Sequence, residues 1–365
     1  MKPTVVIDST TMSNTPGLNS GDWLKLLSLS QAGKICLIVP VLVLMEVGRQ
    51  WQQKLEKDTR KLNDASESRI KSLTAVGIHS EQLNAEDAQL TRSYYVTHVS
   101  AKLMEQNAQV LHWPETSVEY LVNQDLDRRK PFSHNGKGLR DALIWETVRS
   151  CAVDADSAIY FITENNSDFL NDRNTGLHDD LLNSLNEEGC VHVIGNLGKL
   201  LEIDEIAELA DQLQVNIEPF DRDFISDRID EATQSLLYKD IAEVSGSYSP
   251  GGIWDPEIVS SLENPMFESI EVFRESLSWS TFDSNDPKFF VVEAQIDAEC
   301  NLEGYIHKSD FRFYDCDDLN IIASDWNETM MLASENHNAR FKFVAQVDHA
   351  NTTNFEFDLD ELELF

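Results

Sequence analysis

A chain of 365 residues has room for two or three domains of ordinary size, and 41% hydrophobic with 9% aromatic residues excludes global disorder. The net charge of −35 is uneven: residues 1–200 hold 20 Lys/Arg against 26 Asp/Glu, and the rest hold 9 against 38. The back half therefore repels nucleic acid by itself, while the front half can still carry local basic surface.

The front half alternates strand and helix signals, the pattern of an α/β domain built on a parallel sheet. TVVID (4–8) reads as the first strand, GDWLKLLSLSQA (21–32) as a helix and ICLIV (35–39) as the second strand, after which Pro40 opens a new element. A long helix is expected from Met45 to about Leu73, interrupted by the polar patch DASESR; further helices are expected over 84–110 and 115–123. PFSHNGKG (131–138) is a loop, crowded with Pro, Ser, Asn and two Gly. Helix 139–152, strand 157–163, helix 177–187, strand 190–194 and an amphipathic helix over 203–214 follow.

Residues 221–243 look helical and charged, and SGSYSPGG (245–252) reads as a linker. Beyond about 268 the pattern becomes period-two alternation with aromatic and β-branched residues, as in an antiparallel sheet. The strand candidates are SIEVFRESLSWSTF, KFFVVEAQIDAE, GYIHKSDFRFY, ARFKFVAQVDHA and NFEFDLDELELF. The expected organisation is an α/β domain with a helical insertion over 1–215, a charged helical connector and loop over 216–252, and an acidic, β-rich α+β accessory domain over 253–365.

No apolar run approaches the roughly 20 residues that span a bilayer. MKPTVVID leads straight into a strand, so no leader is expected. Cys36, Cys151, Cys190, Cys300 and Cys316 are odd in number and show no zinc spacing, which reads as reduced thiols in a cytoplasmic protein.

Four acids stand at the ends of predicted elements. Asp8 closes VVID, Glu46 follows ICLIVPVLVLME, Asp141 opens DALIWETV, and Asp168 follows AIYFIT within TENNSDF. Ligands of open α/β sheets bind outside the carboxyl ends of the strands. Carboxylates gathered there make an oxygen-rich site, which suits Mg²⁺ or Mn²⁺ rather than zinc. Without a cation they repel: two like charges 4 Å apart cost about 4 kcal/mol at an effective dielectric near 20. Each acid alone has an ordinary role as a turn or capping residue; the joint pattern is the informative part.

That pattern resembles the PIN domain family of Mg²⁺/Mn²⁺-dependent nucleases, which includes the VapC-like toxins. The likeness covers roughly residues 3–197. VVIDSTTM resembles the family's first strand with its leading Asp, VPVLVLMEV the segment with its Glu, and GLRDALIWETV the third-acid helix. FITENNSDF resembles the closing Thr-x-Asn-x-x-Asp-Phe loop, placing Thr163, Asn165 and Asp168. The 94 residues between Glu46 and Asp141 exceed a compact toxin domain. The resemblance implies phosphodiester hydrolysis, usually of RNA, with Asp8, Glu46, Asp141 and Asp168 as catalytic metal ligands. Asn165 is a further metal-ligand candidate, and which of Asn165 and Asp168 is the fourth ligand stays open.

A nuclease must hold a polyanion. Arg128, Arg129, Lys130, Lys137 and Arg140 flank the loop before Asp141 and are the expected phosphate contacts, with Thr163 as a further substrate contact. Lys54, Lys57, Arg60, Lys61, Arg69 and Lys71 form a second, more distant group that a solvated helix face explains equally well. His134 lies in the same loop as Lys137, and Trp145 is expected in the core. The acidic back half is open to three roles: docking a basic protein partner, covering the basic surface of the front domain as an inhibitor, or forming a homo-oligomer. The sequence thus predicts a cytoplasmic endoribonuclease, with a toxin-like or phage-defence setting by analogy alone. A DNA-directed nuclease of the same fold and a non-catalytic scaffold that recruits a basic partner are the rivals.

Overall fold

The structure, a computed structural model, describes residues 2–75, 91–133, 137–153, 157–171, 173, 175–185, 190–213, 220–244, 260, 262–284, 288–309 and 319–365. The chain divides into two compact units, Met1–Leu18 with Leu26–Ala210, and Asn19–Lys25 with Asp211–Phe365.

The first unit carries β1 (Thr4–Ile7), α1 (Ser9–Ser13), the part of α2 (Gly21–Gln31) from Leu26 on, β2 (Cys36–Pro40), α3 (Val41–Ala75), α4 (Arg92–Glu105), β3 (Gln109–Leu111) and α5 (Val118–Leu126). It continues through α6 (Leu139–Val153), β4 (Ile159–Ile162), α7 (Asn166–Phe169), α8 (Asp179–Leu182), β5 (Val191–Ile194), α9 (Leu197–Leu201) and α10 (Asp204–Asp211). Five parallel strands form one sheet in the order β3-β2-β1-β4-β5. Its central strands are short and apolar because both faces are covered: Val5, Val6 and Ile7 of β1 and Ile159, Phe161 and Ile162 of β4 are fully buried. From β1 the chain builds outward through β2 and β3, then returns to the other side of β1 as β4. The crevice beyond the carboxyl ends of β1 and β4 is therefore the topological switch point of the sheet.

Three local departures from the sequence expectation have physical causes. Helix α3 begins at Val41, four residues earlier than expected, and runs unbroken for 35 residues, a rod of roughly 50 Å. Val43, Leu44 and Val47 are buried at helical spacing, so the apolar run after Pro40 is a covered helix face and not more strand. The end of the expected helix 84–110 is instead strand β3, which pairs with Ile38, Val39 and Pro40; three residues are too few to show a period. Helix 177–187 shortens to α8, capped by His178, whose Nδ1 accepts the Asp180 amide.

The second unit carries α11 (Arg222–Gln234), α12 (Ile241–Val244), β6 (Glu263–Val272), β7 (Ser278–Asp283), β8 (Phe289–His307), β9 (Leu319–Ala323), β10 (Met330–Asp348) and β11 (Asp358–Leu364). It is an antiparallel sheet around the 19-residue strands β8 and β10, which pair along their full length, Phe289 with Asp348 to His307 with Met330. Strands β6 and β7 pair with β8, and β9 and β11 with β10. Alternation runs along most of β8: Phe290, Val292, Ala294, Ile296, Ala298, Cys300 and Leu302 are buried and Gln295 and Glu299 face water, while Val291 is buried in a separate cluster with Phe282 and Val344. Ile225, Ile229 and Ala232 of α11 join that core, as do Phe341, Phe343 and Ala345 of β10. SIEVFRESLSWSTF, read as one strand, is broken by a 3₁₀ turn at Arg274–Ser276 into β6 and β7. GYIH continues β8, whereas the linker 245–252 and most of KSDFRFY lie outside the described residues.

Candidate metal centre

Asp8 follows β1 directly, and its backbone amide donates to the Ile162 carbonyl at 3.0 Å, which fixes it against the end of β4. Its side chain is buried at 1% exposure, so it needs donors. They come from hydroxyls: Oδ2 accepts from Thr163 Oγ1 at 2.7 Å and from Thr10 Oγ1 at 2.8 Å. Both hydroxyls accept a backbone amide in turn, Thr163 from Asn165 at 3.0 Å and Thr10 from Glu164 at 3.0 Å. A carboxylate can only accept, so each hydroxyl gives its one proton to Asp8 while its oxygen takes the amide. The carboxylate is held in one orientation by hydroxyls that follow β1 and β4.

Asp141 lies in the first turn of α6 and Asp168 in α7, the single turn after β4. Asn165 joins them: its Nδ2 donates to Asp141 Oδ1 at 3.1 Å and to Asp168 Oδ2 at 2.9 Å, while its Oδ1 accepts from Ser167 Oγ at 3.0 Å. The Asp141 carboxyl is pushed above its ordinary value, first by burial, then by the negative charges of Asp168 and Asp8; Arg140 opposes the shift. Asp8, Asp141 and Asp168 therefore share one field. Glu46, on the second turn of α3, gives its carboxylate to the Arg140 guanidinium. Lys130 Nζ donates to the Ser167 carbonyl, next to Asp168.

The structure thus brings Asp8, Asp141, Asn165 and Asp168 together, with Lys130 on the Ser167 carbonyl and Arg140, which holds Glu46, preceding Asp141. Thr163 is corrected: fully buried, its hydroxyl serves Asp8 and does not face a substrate. Arg128 and Arg129 are paired with Asp125 and Asp127 at the end of α5, and Lys137 is exposed. His134 lies outside the described residues. Trp145 is a core residue, with its indole N–H on Ser184 Oγ at 2.9 Å and its ring edge-on to Phe161. Sequence reasoning passed over Thr10 and Ser167; the run of hydroxyls directly after Asp8 was the available signal.

Among the described residues, no group of three or more His, Cys, Asp and Glu side chains is placed so that it could hold a metal ion. The donor chemistry nevertheless fits a hard divalent cation, since every candidate ligand atom is oxygen and the charges of Asp168 and Asp8 both act on the Asp141 carboxyl. Residues 5–169 match the family model described as PIN domain. No curated protein and no solved structure matches the chain. The parallel sheet, the acids at its switch point and the matched span agree: residues 5–169 form a PIN domain, the fold of nucleases that are generally metal-dependent.

Proposed function

We propose that the chain is an endoribonuclease that hydrolyses RNA phosphodiesters at a carboxylate-held Mg²⁺ or Mn²⁺ centre. The observation that carries this reading is the shared field of Asp8, Asp141 and Asp168 at the switch point of the parallel sheet. A divalent ion bound there would neutralise those charges, activate water and stabilise charge on the leaving oxygen. The chain's own residues supply the rest. Thr10 and Thr163 keep Asp8 in one orientation, and Asn165 spaces Asp141 and Asp168. Lys130 and Arg140 flank the acids and are the cations best placed to take the phosphodiester, whose hydrolysis leaves a 5′-phosphate and a 3′-hydroxyl.

RNA over DNA is chosen on the family likeness, and the toxin-like or defence-related setting by analogy. The acidic second unit is assigned to a basic protein partner or to homo-oligomer formation. A cytoplasmic site agrees with Cys36, Cys151, Cys190 and Cys300 being outside any disulfide, and no described helix is long and apolar enough to cross a membrane. The test is cleavage of matched single-stranded RNA and DNA oligonucleotides by the full chain with Mn²⁺ or with EDTA, beside Asp8→Asn. Metal-dependent cutting of RNA that Asp8→Asn abolishes is the expected result. Preference for DNA moves the assignment to that polymer, and equal activity of wild type and Asp8→Asn removes the site.

A further inference from the structure

Of the four acids singled out by the sequence, Glu46 is the one the structure gives to a cation of the chain itself. Its carboxylate is largely covered, at 15% exposure, and bonds to Arg140 Nη1. Arg140 immediately precedes Asp141 in the first turn of α6, so the helix that positions one candidate ligand also positions the partner of another. The guanidinium is open, at 62% exposure, which leaves most of its donor fork in water. An ion pair exposed on one side contributes little net stability and breaks at small cost. The positive charge of Arg140 also acts on Asp141, against the repulsion from Asp168 and Asp8.

We infer that Arg140 competes with the divalent cation for Glu46, so that metal binding takes the carboxylate and frees the guanidinium for the substrate phosphate. The geometry favours this over a purely structural pair. Glu46 projects from α3 and Arg140 from α6, and the pair brings Glu46 to the residue that immediately precedes Asp141. A guanidinium released there meets a phosphodiester with two parallel donors, the arrangement in which arginine binds phosphate best. Metal and substrate are then linked. Whatever takes Glu46 from Arg140 helps the polyanion bind, and by reciprocity a bound polyanion helps the metal.

The inference rests on the metal reading proposed above, and a thermodynamic cycle separates the two. Mn²⁺ affinity of the full chain is measured by isothermal titration calorimetry for wild type, Arg140→Gln, Glu46→Gln and the double variant, with Asp8→Asn as a check on the site. Removing the competitor should tighten Mn²⁺ by about fivefold, from a pair of roughly 1 kcal/mol. In the Glu46→Gln background the same change should have little effect, because nothing remains to compete for. An unchanged or weaker affinity in Arg140→Gln overturns the exchange. An equal gain with and without Glu46 also overturns it, since the arginine would then act only through its long-range charge. If wild type binds no Mn²⁺ at all, or Asp8→Asn binds it as well as wild type, the metal reading itself fails. Circular dichroism and melting of each variant exclude misfolding, which is not expected at so exposed an arginine.

Discussion

The two sheets of this molecule place polar residues by opposite rules. In the first unit the strands are three to five residues long, and the central ones are buried on both faces, so polarity is excluded from the strands and collects where they end. Asp8, Thr163 and Asn165 stand directly beyond β1 and β4. In the second unit the strands reach 19 residues and polarity alternates along them, Gln295 and Glu299 facing water while Ile296 and Cys300 face the core. An acid in the second sheet is therefore usually one half of an alternation, as Asp297 is with its partner Arg340. An acid at the end of a strand in the first sheet has no such reason to be there.

The largest expected effect tests that asymmetry. Asp8→Asn keeps the volume and the acceptor for Thr163 but removes the charge, and it should slow cleavage about a thousandfold, roughly 4 kcal/mol of barrier. Single-turnover rates with Mn²⁺ check it, and a loss below tenfold would show that Asp8 is only a capping acid. Asp297→Asn in the second unit should leave the rate within twofold, on the order of the scatter expected for a surface pair.

Next in size is a change that should act on stability. Phe343 is fully buried on β10, stacked on Phe341 and tilted against Phe357. Phe343→Ala removes a large part of the second unit's core and should cost about 3–5 kcal/mol in urea unfolding. A cost under 1 kcal/mol would mean that the sheet face is not packed as described.

Much of this was legible in the sequence, for reasons that differ between the units. The parallel sheet was readable because the short apolar runs at VVID and AIYFIT, bounded by turn residues, fit doubly covered strands. The antiparallel sheet was readable from period-two alternation, although the break at Arg274–Ser276 was hidden because a 3₁₀ turn of three residues disturbs no period. The acids were visible as residue types at strand ends. Their hydrogen-bond partners were not: Thr163 looks like a substrate contact in one dimension, and only pairing of β1 with β4 shows its hydroxyl meeting Asp8. Likewise, the Glu46–Arg140 pair spans 94 positions and leaves no local trace.

Thr163→Val tests that hidden layer at intermediate size. The substitution preserves shape, deletes one donor to a buried carboxylate and leaves the Asn165 amide without its acceptor. Losing a hydrogen bond to a charged group costs about 1–3 kcal/mol, so cleavage should fall roughly ten- to a hundredfold. A structural role alone would lower the melting temperature and leave kcat at saturating Mn²⁺ unchanged. A positioning role lowers kcat, and Thr163→Ser should restore most of it.

The smallest effect compares one carboxyl in each unit. Asp141 is raised by burial and by Asp168 and Asp8; Asp360 on β11 is raised to about 6 by burial, with the Lys342 ammonium opposing the shift. In both, the folded state holds the proton to higher pH than the unfolded chain does, whose carboxyl titrates near 3.9. Folding is therefore favoured most with the carboxyl protonated, below about pH 4, and this contribution is lost as pH rises through the folded value. For Asp360 the window closes near pH 6. Asp141→Asn and Asp360→Asn, neutral throughout, should each melt a few degrees above wild type at pH 8 in EDTA, and the gain should vanish at pH 4. Mn²⁺ separates them. A cation held by Asp141 relieves its repulsion, so with metal the wild type should overtake Asp141→Asn, while the advantage of Asp360→Asn is unchanged because its charge is answered by a lysine. If Mn²⁺ moved neither comparison, the acids at the end of the parallel sheet would be no different in kind from those along the antiparallel one.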